Sequence, residues 1–156
     1  ENKVGLAGLT GTVMRSGGNS QLTGDKLDDY LEGKAASIET SIGTTAGTAS
    51  MNCLIEDFDE VFNVFVEVLR HPSFAKDKLA IAKNQIIAGI ARQNDNPDGI
   101  VKREFTKLIY GSDSPYSYQE TYATVGSITR DDLIGWHQKY YHCLYNHSQE
   151  LIRAVA

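Results

Sequence analysis

Cysteine, proline and tryptophan are scarce in this 156-residue chain, which contains two, three and one of them, respectively. Cys53 and Cys143 are too few for a disulfide framework, and we interpret them as unpaired thiols. No apolar run approaches the roughly 20 residues that a membrane-spanning helix needs, so we expect no membrane span. The remaining composition, with 41% apolar and 22% charged residues, is typical of a globular protein that buries a core.

Positive charge is also limited. The 15 Lys and Arg residues are outnumbered by 20 Asp and Glu residues, which gives a formal net charge of -5 at pH 7. The basic residues are scattered along the chain, whereas a nucleic-acid-binding surface gathers them on one face. We therefore expect no nucleic acid among the partners of this protein.

The spacing of apolar residues predicts six helices and one β-hairpin. The segments Ala36–Ile42 and Thr44–Ile55 flank Gly43 and are predicted to pair as antiparallel strands, because apolar and polar residues alternate in the second. A last strand is predicted at Leu151–Ala156. This order indicates an α+β fold, with helices packed against a mostly antiparallel sheet. The predicted helices begin near Leu6, Thr23, Asp57, Lys76, Pro97 and Thr129.

Local signals mark several helix boundaries. Asp57 with Glu60 predicts a capping box for the third helix, and Thr129 with Asp132 predicts a cap for the sixth. Pro97 is predicted at the start of the fifth helix, where its missing N–H costs nothing. The apolar residues of this fifth helix, which we predict to face the core, are Ile100, Val101, Phe105, Leu108 and Ile109.

The two ends of the chain resemble cut points. The chain begins at Glu1 rather than at Met, and it stops within the strand-like run before any turn. No linker, internal repeat or low-complexity segment divides the sequence between them. We therefore expect residues 1–156 to form a single, truncated domain of a longer polypeptide.

Three glycines lie in the first helix, at Gly5, Gly8 and Gly11. They do not form a phosphate-binding fingerprint, because no strand precedes them and the P-loop lysine is missing after Gly11. The sequence also has no G-x-S-x-G nucleophile motif. We interpret Gly8 and Gly11 as residues that allow close packing of the helix.

Histidines and aromatic residues offer few candidates for a site. His71 and His137 lie on or beside predicted helices, and neither has zinc-finger spacing to other ligands. His142, Cys143 and His147 are near one another, but without a second cysteine or a carboxylate pair we favour surface or packing roles. The sixth predicted helix carries three aromatic residues at helical spacing, Trp136, Tyr140 and Tyr141. They belong either to the core or to a binding stripe, and we favour the core.

Separated segments of the chain resemble one protein family in the same order. Gly5–Ala7 leads into the first predicted helix, Asp95–Pro97 separates the fourth from the fifth, and Ile128–Leu133 lies at the start of the sixth. Together with Leu31–Ala35, Leu69–Phe74 and Tyr110–Tyr116, they resemble the insulinase, pitrilysin and mitochondrial processing peptidase family of zinc metallopeptidases. The resemblance implies an α+β domain that occurs in structurally similar pairs.

The family's zinc site is missing from this sequence. Its inverted motif H-x-x-E-H would fall on Gly8, Gly11 and Thr12, and its later glutamate ligand would fall on Ala88 or Gly89. None of these residues supplies the imidazole or carboxylate that a catalytic zinc site needs. The resemblance therefore implies no catalytic, metal-binding or cofactor-binding residue in this chain.

The expected function is a non-catalytic one. The resemblance implies a domain that binds or positions peptide and pairs with a homologous domain or subunit, which carries the zinc and the metalloendopeptidase activity. Two alternatives stay open. The chain is a fragment of an active zinc endopeptidase whose H-x-x-E-H lies elsewhere in the polypeptide, or it is a purely structural subunit. Bacterial members of this family are often exported. A periplasmic location is therefore compatible with the sequence, although no residue indicates it.

Overall fold

The computed structural model describes residues 3–141. Within them, two antiparallel strands form a hairpin that packs against helices, which confirms the predicted α+β fold. The predicted strand at Leu151–Ala156 lies outside the described residues. The helices are α1 (Leu6–Ser16), α2 (Gly24–Gly33), α3 (Phe58–Arg70), α4 (Lys76–Arg92), α5 (Pro97–Tyr110), α6 (Tyr122–Ser127) and α7 (Arg130–Tyr140); the strands are β1 (Ser37–Ile42) and β2 (Gly47–Asn52); short 3-10 turns lie at Ile55–Asp57 and Pro115–Ser117.

Helix α1 lies at the centre of the domain. It contacts β1 and the helices α2, α3, α4 and α7. Its apolar positions recur at helical spacing and therefore face these neighbours on more than one side. The buried apolar side chains of the core come from α1 (Leu9, Val13, Met14), α2 (Leu27, Leu31), β1 (Ile38), α3 (Val61, Val68), the loop after α3 (Phe74), α4 (Leu79, Ala82) and the last two helices with their connection (Val125, Ile128, Leu133).

The hairpin has a defined register. Ile38 pairs with Met51 and Ile42 pairs with Gly47. Residues 43–46 connect the two strands, and within this loop the Gly43 N–H donates to the Ala46 carbonyl over 2.8 Å. The strand β2 is shorter than the predicted segment, because residues 53 and 54 leave the ladder before the first 3-10 turn.

One predicted cap is confirmed and another is wrong. At α7, Thr129 Oγ1 accepts from the Asp132 N–H, and Asp132 reaches back to the Thr129 N–H, as a capping box requires. At α3, Asp57 makes no capping hydrogen bond within the described residues. Its carboxylate lies 2.6 Å from Lys34 Nζ instead, and Glu60 lies 2.7 Å from the same ammonium.

Helix α6 was not predicted from the sequence. Thr121 begins it with a capping box in which Thr124 replaces the usual glutamate. Only Val125 among its six residues is buried. A segment this short presents too few apolar positions for a helical period to be recognised.

The predicted inward face of α5 is wrong. Val101 is 67% exposed and Leu108 is 81% exposed, and no residue of α5 is buried. The opposite side of the helix faces the domain, since Arg103 Nη1 donates to the Gln93 carbonyl over 2.7 Å. The apolar residues of α5 therefore do line one face of the helix, but the described part of the fold leaves that face exposed.

Candidate functional site

Helix α1 runs along the backbone of β1 at very short range. Thr40 Oγ1 donates to the Gly11 carbonyl over 2.6 Å, and Arg15 Nε donates to the Ile38 carbonyl over 3.0 Å. A methyl group placed on Gly11 would lie 2.7 Å from the Ile42 nitrogen. Side-chain carbons do not approach backbone atoms so closely, so only glycine fits at position 11. This agrees with the interpretation of Gly11 as a residue for close packing.

Gly8 and Gly89 line the same open cavity of about 720 Å³. They come from α1 and α4, at the two separate places where the resemblance puts zinc ligands. Of the residues that the structure describes, the lining includes neither Thr12 nor Ala88, which are both exposed. Apolar lining is provided by Leu6, Ile42, Ile86, Ile90 and Trp136, and polar lining by Lys3, Gln93, Arg103, Gln119 and Glu120.

The two cationic side chains that line this cavity, Lys3 and Arg103, each have a partner. Lys3 Nζ forms an ion pair with Asp132, and together with the Thr129 N–H it lowers the pKa of Asp132 to about 2. Arg103 Nη2 donates to Asn94 Oδ1 over 2.6 Å, in addition to its bond with Gln93. These partners fix the two cations, and the lining as a whole combines apolar and polar groups, which is typical of a binding cleft.

The residues present do not fit a zinc ion. Gly8, Gly11 and Gly89 have no side chain to donate, and the Thr12 hydroxyl does not replace an imidazole. No group of three His, Cys, Asp or Glu residues in the described part of the chain could hold a metal. A side chain at position 11 would also meet the β1 backbone. The motif H-x-x-E-H occurs nowhere in the 156 residues.

A second cavity, of about 460 Å³, lies beside β2 and is rich in aromatic residues. Its lining includes Phe65, Leu69, Trp136, Tyr140 and Tyr141. The Trp136 and Tyr140 rings lie 4.7 Å apart, and Tyr140 is 56% exposed, so the core interpretation is wrong for this tyrosine. Trp136 also lines the first cavity, as does Ile42 at the end of β1. The two cavities therefore meet at the tip of the hairpin.

Of the two described histidines, His137 packs within the domain and His71 is exposed. His137 lies with Nε2 2.7 Å from the Leu69 carbonyl, and its ring stacks on Tyr141 at 4.9 Å. Burial lowers the pKa of His137, so the neutral ring with a proton on Nε2 suits this position. His71 follows the last residue of α3. The candidates His142, Cys143 and His147 lie outside the described residues.

Several lining residues could not be predicted as members of a site. Gln93, Arg103 and Gln119 come from the end of α4, from α5 and from the loop before α6, and they share no motif. Only the resemblance at Gly8 and Gly89 singled out this region from the sequence. Tertiary packing brings these polar groups into the cavity, and the spacing of residues along the sequence does not reveal such packing.

The chain is similar to several proteins of one peptidase family, although no family model matches it. It is 27% identical over 90 residues to an uncharacterized zinc protease of Rickettsia felis, over 56% of this chain and 22% of that protein. Its fold matches the crystal structure of a peptidase M16 inactive domain from Pseudomonas fluorescens, with a TM-score of 0.78 and 27% identity over 85% of this chain and 33% of that one.

Two further structures share the fold at lower identity. They are a mutant of the ferredoxin protease FusC in complex with Arabidopsis ferredoxin, with a TM-score of 0.74 and 19% identity, and the periplasmic protease PqqL of Escherichia coli, with a TM-score of 0.71 and 11% identity. The matches cover 89% and 86% of this chain but only 15% of each of those chains. The chain thus spans a third or less of the length of these relatives. These comparisons show similarity to domains of the insulinase (M16) family of zinc peptidases, one of them described as an inactive domain, and the 156 residues contain no H-x-x-E-H motif.

Proposed function

We propose that this domain binds an extended peptide and positions it for a homologous domain that carries the zinc site. The observation that carries the proposal is the meeting of Gly8 and Gly89 in one open cavity. Where metal ligands would project, the absence of side chains leaves a cleft lined by both apolar and hydrogen-bonding groups. Such a lining suits a peptide, whose backbone needs donors and acceptors while its side chains need apolar contacts.

The geometry favours one course for the peptide. A peptide can bind by adding a strand to a sheet edge, where the backbone hydrogen bonds tolerate many sequences. Helix α1 covers the backbone of β1 at Ile38 and Ile42, which leaves no room for a strand there. In the described residues, β2 pairs only with β1, so its other edge is the available one. A peptide along β2 would pass the aromatic cavity and reach Trp136, which both cavities share.

The test is a binding titration that uses the only tryptophan of the chain, Trp136, as an internal reporter. Unstructured peptides of 10–12 residues, labelled for fluorescence anisotropy, are titrated with the chain while the Trp136 emission is followed. We expect saturable binding with a change in Trp136 emission. Anisotropy that stays flat for a diverse peptide set would overturn peptide binding and favour a purely structural subunit.

Two matched glycine variants localise the binding. A methyl group at Gly89 or at Gly135 would have no described atom within 4 Å, and both residues are exposed within helices. Gly89→Phe fills part of the first cavity, whereas Gly135→Phe adds the same side chain outside its lining, and both keep Trp136 as the only tryptophan. We expect Gly89→Phe to weaken peptide binding at least tenfold and Gly135→Phe to leave it within about twofold, since one methylene misfit alone is worth roughly tenfold.

The non-catalytic role is tested separately. Zinc is added to the purified chain at neutral pH, and the bound metal is measured after dialysis. We expect less than one equivalent to remain, because a structural or catalytic zinc needs three or four strong protein ligands. One tightly bound equivalent, accompanied by peptide cleavage, would instead identify an active endopeptidase.

A further inference from the structure

Glu120 lies in the wall of the first cavity, beside the start of α1. It belongs to the loop between the turn Pro115–Ser117 and α6, and its side chain is half-buried. A methyl group placed on Gly5, the residue before α1, would lie 3.0 Å from Glu120 Oε1. Gly5 also has a φ of 98°, a left-handed conformation that favours glycine. The lack of a side chain at position 5 therefore gives the carboxylate its place in the cavity.

The Glu120 carboxylate has no partner in the part of the chain that the structure describes. No ion pair and no side-chain hydrogen bond among residues 3–141 involves it. A carboxylate near the first turn of a helix does interact favourably with the helix dipole. That interaction requires no hydrogen bond, so it leaves both carboxylate oxygens available to a ligand.

The two cations of the same lining differ from Glu120 in this respect. Lys3 Nζ forms an ion pair with Asp132, and Arg103 donates from both Nη1 and Nη2 to groups just after α4. A ligand that approaches these nitrogens must compete with the existing contacts, whereas a ligand that approaches Glu120 displaces only water. Among the charged side chains of this lining, Glu120 is thus the one for which the described residues supply no partner.

The chemistry of this carboxylate favours a cationic ligand. An ammonium or guanidinium group forms short, charge-assisted hydrogen bonds with a carboxylate, whereas a second carboxylate is repelled by it. Because Glu120 is half-buried, its pairing is screened less than that of a fully exposed carboxylate. A peptide that follows β2 to Trp136 enters the cavity that Glu120 also lines.

We propose that Glu120 is a specificity-determining residue, which selects peptides that place a cationic group in the first cavity. The cation is the ammonium of a lysine or of a free amino terminus, or the guanidinium of an arginine. This assignment rests on the proposed function, which includes the binding of a peptide but names no sequence preference. It defines the class of ligand as basic peptides, and it gives Glu120 the role of the counter-charge.

The test uses pairs of labelled, acetylated peptides that differ only in having Lys or Gln at one position, which is moved along the sequence. Each pair is titrated by anisotropy with the wild type, Glu120→Gln and Glu56→Gln. Glu56 is exposed and lies outside both linings, so its substitution removes the same charge elsewhere. We expect the wild type to bind the best Lys peptide about tenfold more tightly than its Gln counterpart. Glu120→Gln should abolish this preference and Glu56→Gln should retain it.

Two further measurements identify the cation and confirm that the site is intact. A peptide without Lys but with a free amino terminus, compared with its acetylated form, separates the terminal ammonium from a side chain. Glu120→Lys reverses the charge, and we expect it to prefer a peptide with Glu at the position where the wild type prefers Lys. Thermal unfolding of each variant should match the wild type, because Glu120 contributes no described contact to the fold.

The opposite results are distinct from a failure of peptide binding itself. Equal affinity of the wild type for the Lys, Gln and free-amino peptides would overturn the role of Glu120 while leaving peptide binding intact. A preference that Glu56→Gln abolishes as well would assign it to the net charge of the chain, and tighter binding of Glu peptides by the wild type would assign specificity to the cations. Flat anisotropy with every peptide would overturn the proposed function as well.

Discussion

Gly11 of α1 and Ile42 of β1 approach so closely that a methyl group on Gly11 would lie 2.7 Å from the Ile42 nitrogen and 3.0 Å from its side chain. Gly8, one turn earlier on the same helix, leaves 3.9 Å to the Ile42 carbonyl oxygen, which is ordinary contact. Two glycines on one helix face therefore differ in how much space they have. This difference sets the first prediction.

We expect Gly11→Ala to lower the free energy of unfolding by about 1–3 kcal/mol, because the added methyl group forces α1 and β1 apart. Gly8→Ala is the matched control and should stay within about 1 kcal/mol of the wild type, since alanine also favours the helix. Urea denaturation of both variants measures the difference. Equal stability of the two variants would mean that α1 and β1 are not in the tight contact described.

Thr129→Ala should destabilise the domain by about 1 kcal/mol, because α7 loses its capping box. Thr23 occupies the same cap position at α2 but makes no side-chain capping bond in the described structure. Thr23→Ala is therefore the control, with an expected change of a few tenths of a kcal/mol. Chemical denaturation compares them, and a larger loss at Thr23 would contradict the assignment of the caps.

Arg130 secures the loop between α3 and α4. Its Nε donates to the Phe74 carbonyl over 3.0 Å and its Nη2 donates to the Ser73 carbonyl over 2.9 Å. Phe74 is buried and has a φ of 46°, a left-handed conformation that is unfavourable for a residue with a side chain. The two hydrogen bonds therefore support a strained segment.

Arg130→Lys should cost about 1–2 kcal/mol, because a lysine ammonium cannot make both bonds in the fork geometry of a guanidinium. Arg92, which is exposed at the end of α4, provides the control. Arg92→Lys is expected to change stability by less than about 0.5 kcal/mol. Thermal unfolding measures both, and a neutral Arg130→Lys variant would show that one bond is sufficient.

The stability of the domain should decrease as the pH falls below about 6.5 because of His137. Burial lowers its pKa in the folded state, and the neighbouring His71 lowers it further. The unfolded state therefore binds more protons between the unfolded pKa of 6.5 and the lower folded pKa. The stabilising effect of the neutral ring is complete above this range and is lost as the pH falls through it.

Urea denaturation between pH 8 and pH 5 measures this dependence, and His137→Phe should flatten it at some cost in stability, since the Leu69 carbonyl loses its donor. The ion-paired Asp132 acts in a separate window, because its pKa of about 2 lies below the ordinary value of 3.8. Its contribution is present above pH 4 and is lost at lower pH. A pH slope that survives in His137→Phe would assign it to another group.

Local chemistry made part of this fold predictable. Thr129 with Asp132, Pro97 and the apolar period of α4 depend on neighbours within one helical turn, so the sequence contains what is needed to recognise them. Asp57 was misinterpreted because its carboxylate meets Lys34, which is 23 residues away in sequence. The direction of α5 was misinterpreted because periodicity identifies an apolar face without identifying what covers it.

The candidate site was only partly predictable for a similar reason. Gly8 and Gly89 lie 81 positions apart, and only the resemblance to a family related them before the structure placed both in one cavity. Trp136 was assigned to the core by its spacing, although it lines both cavities. Helical spacing is the same for a residue that fills a core and for one that lines a cleft, so it cannot distinguish them.

The contact between Gly11 and Ile42 also limits what could be engineered into this helix. A glutamate at position 11, where the resemblance places the family's base, would meet the backbone of β1. We therefore expect that introducing the H-x-x-E-H residues at positions 8, 11 and 12 alone does not create a zinc centre, because β1 would first have to move away from α1. The packing of one strand thus restricts the chemistry that the helix can carry.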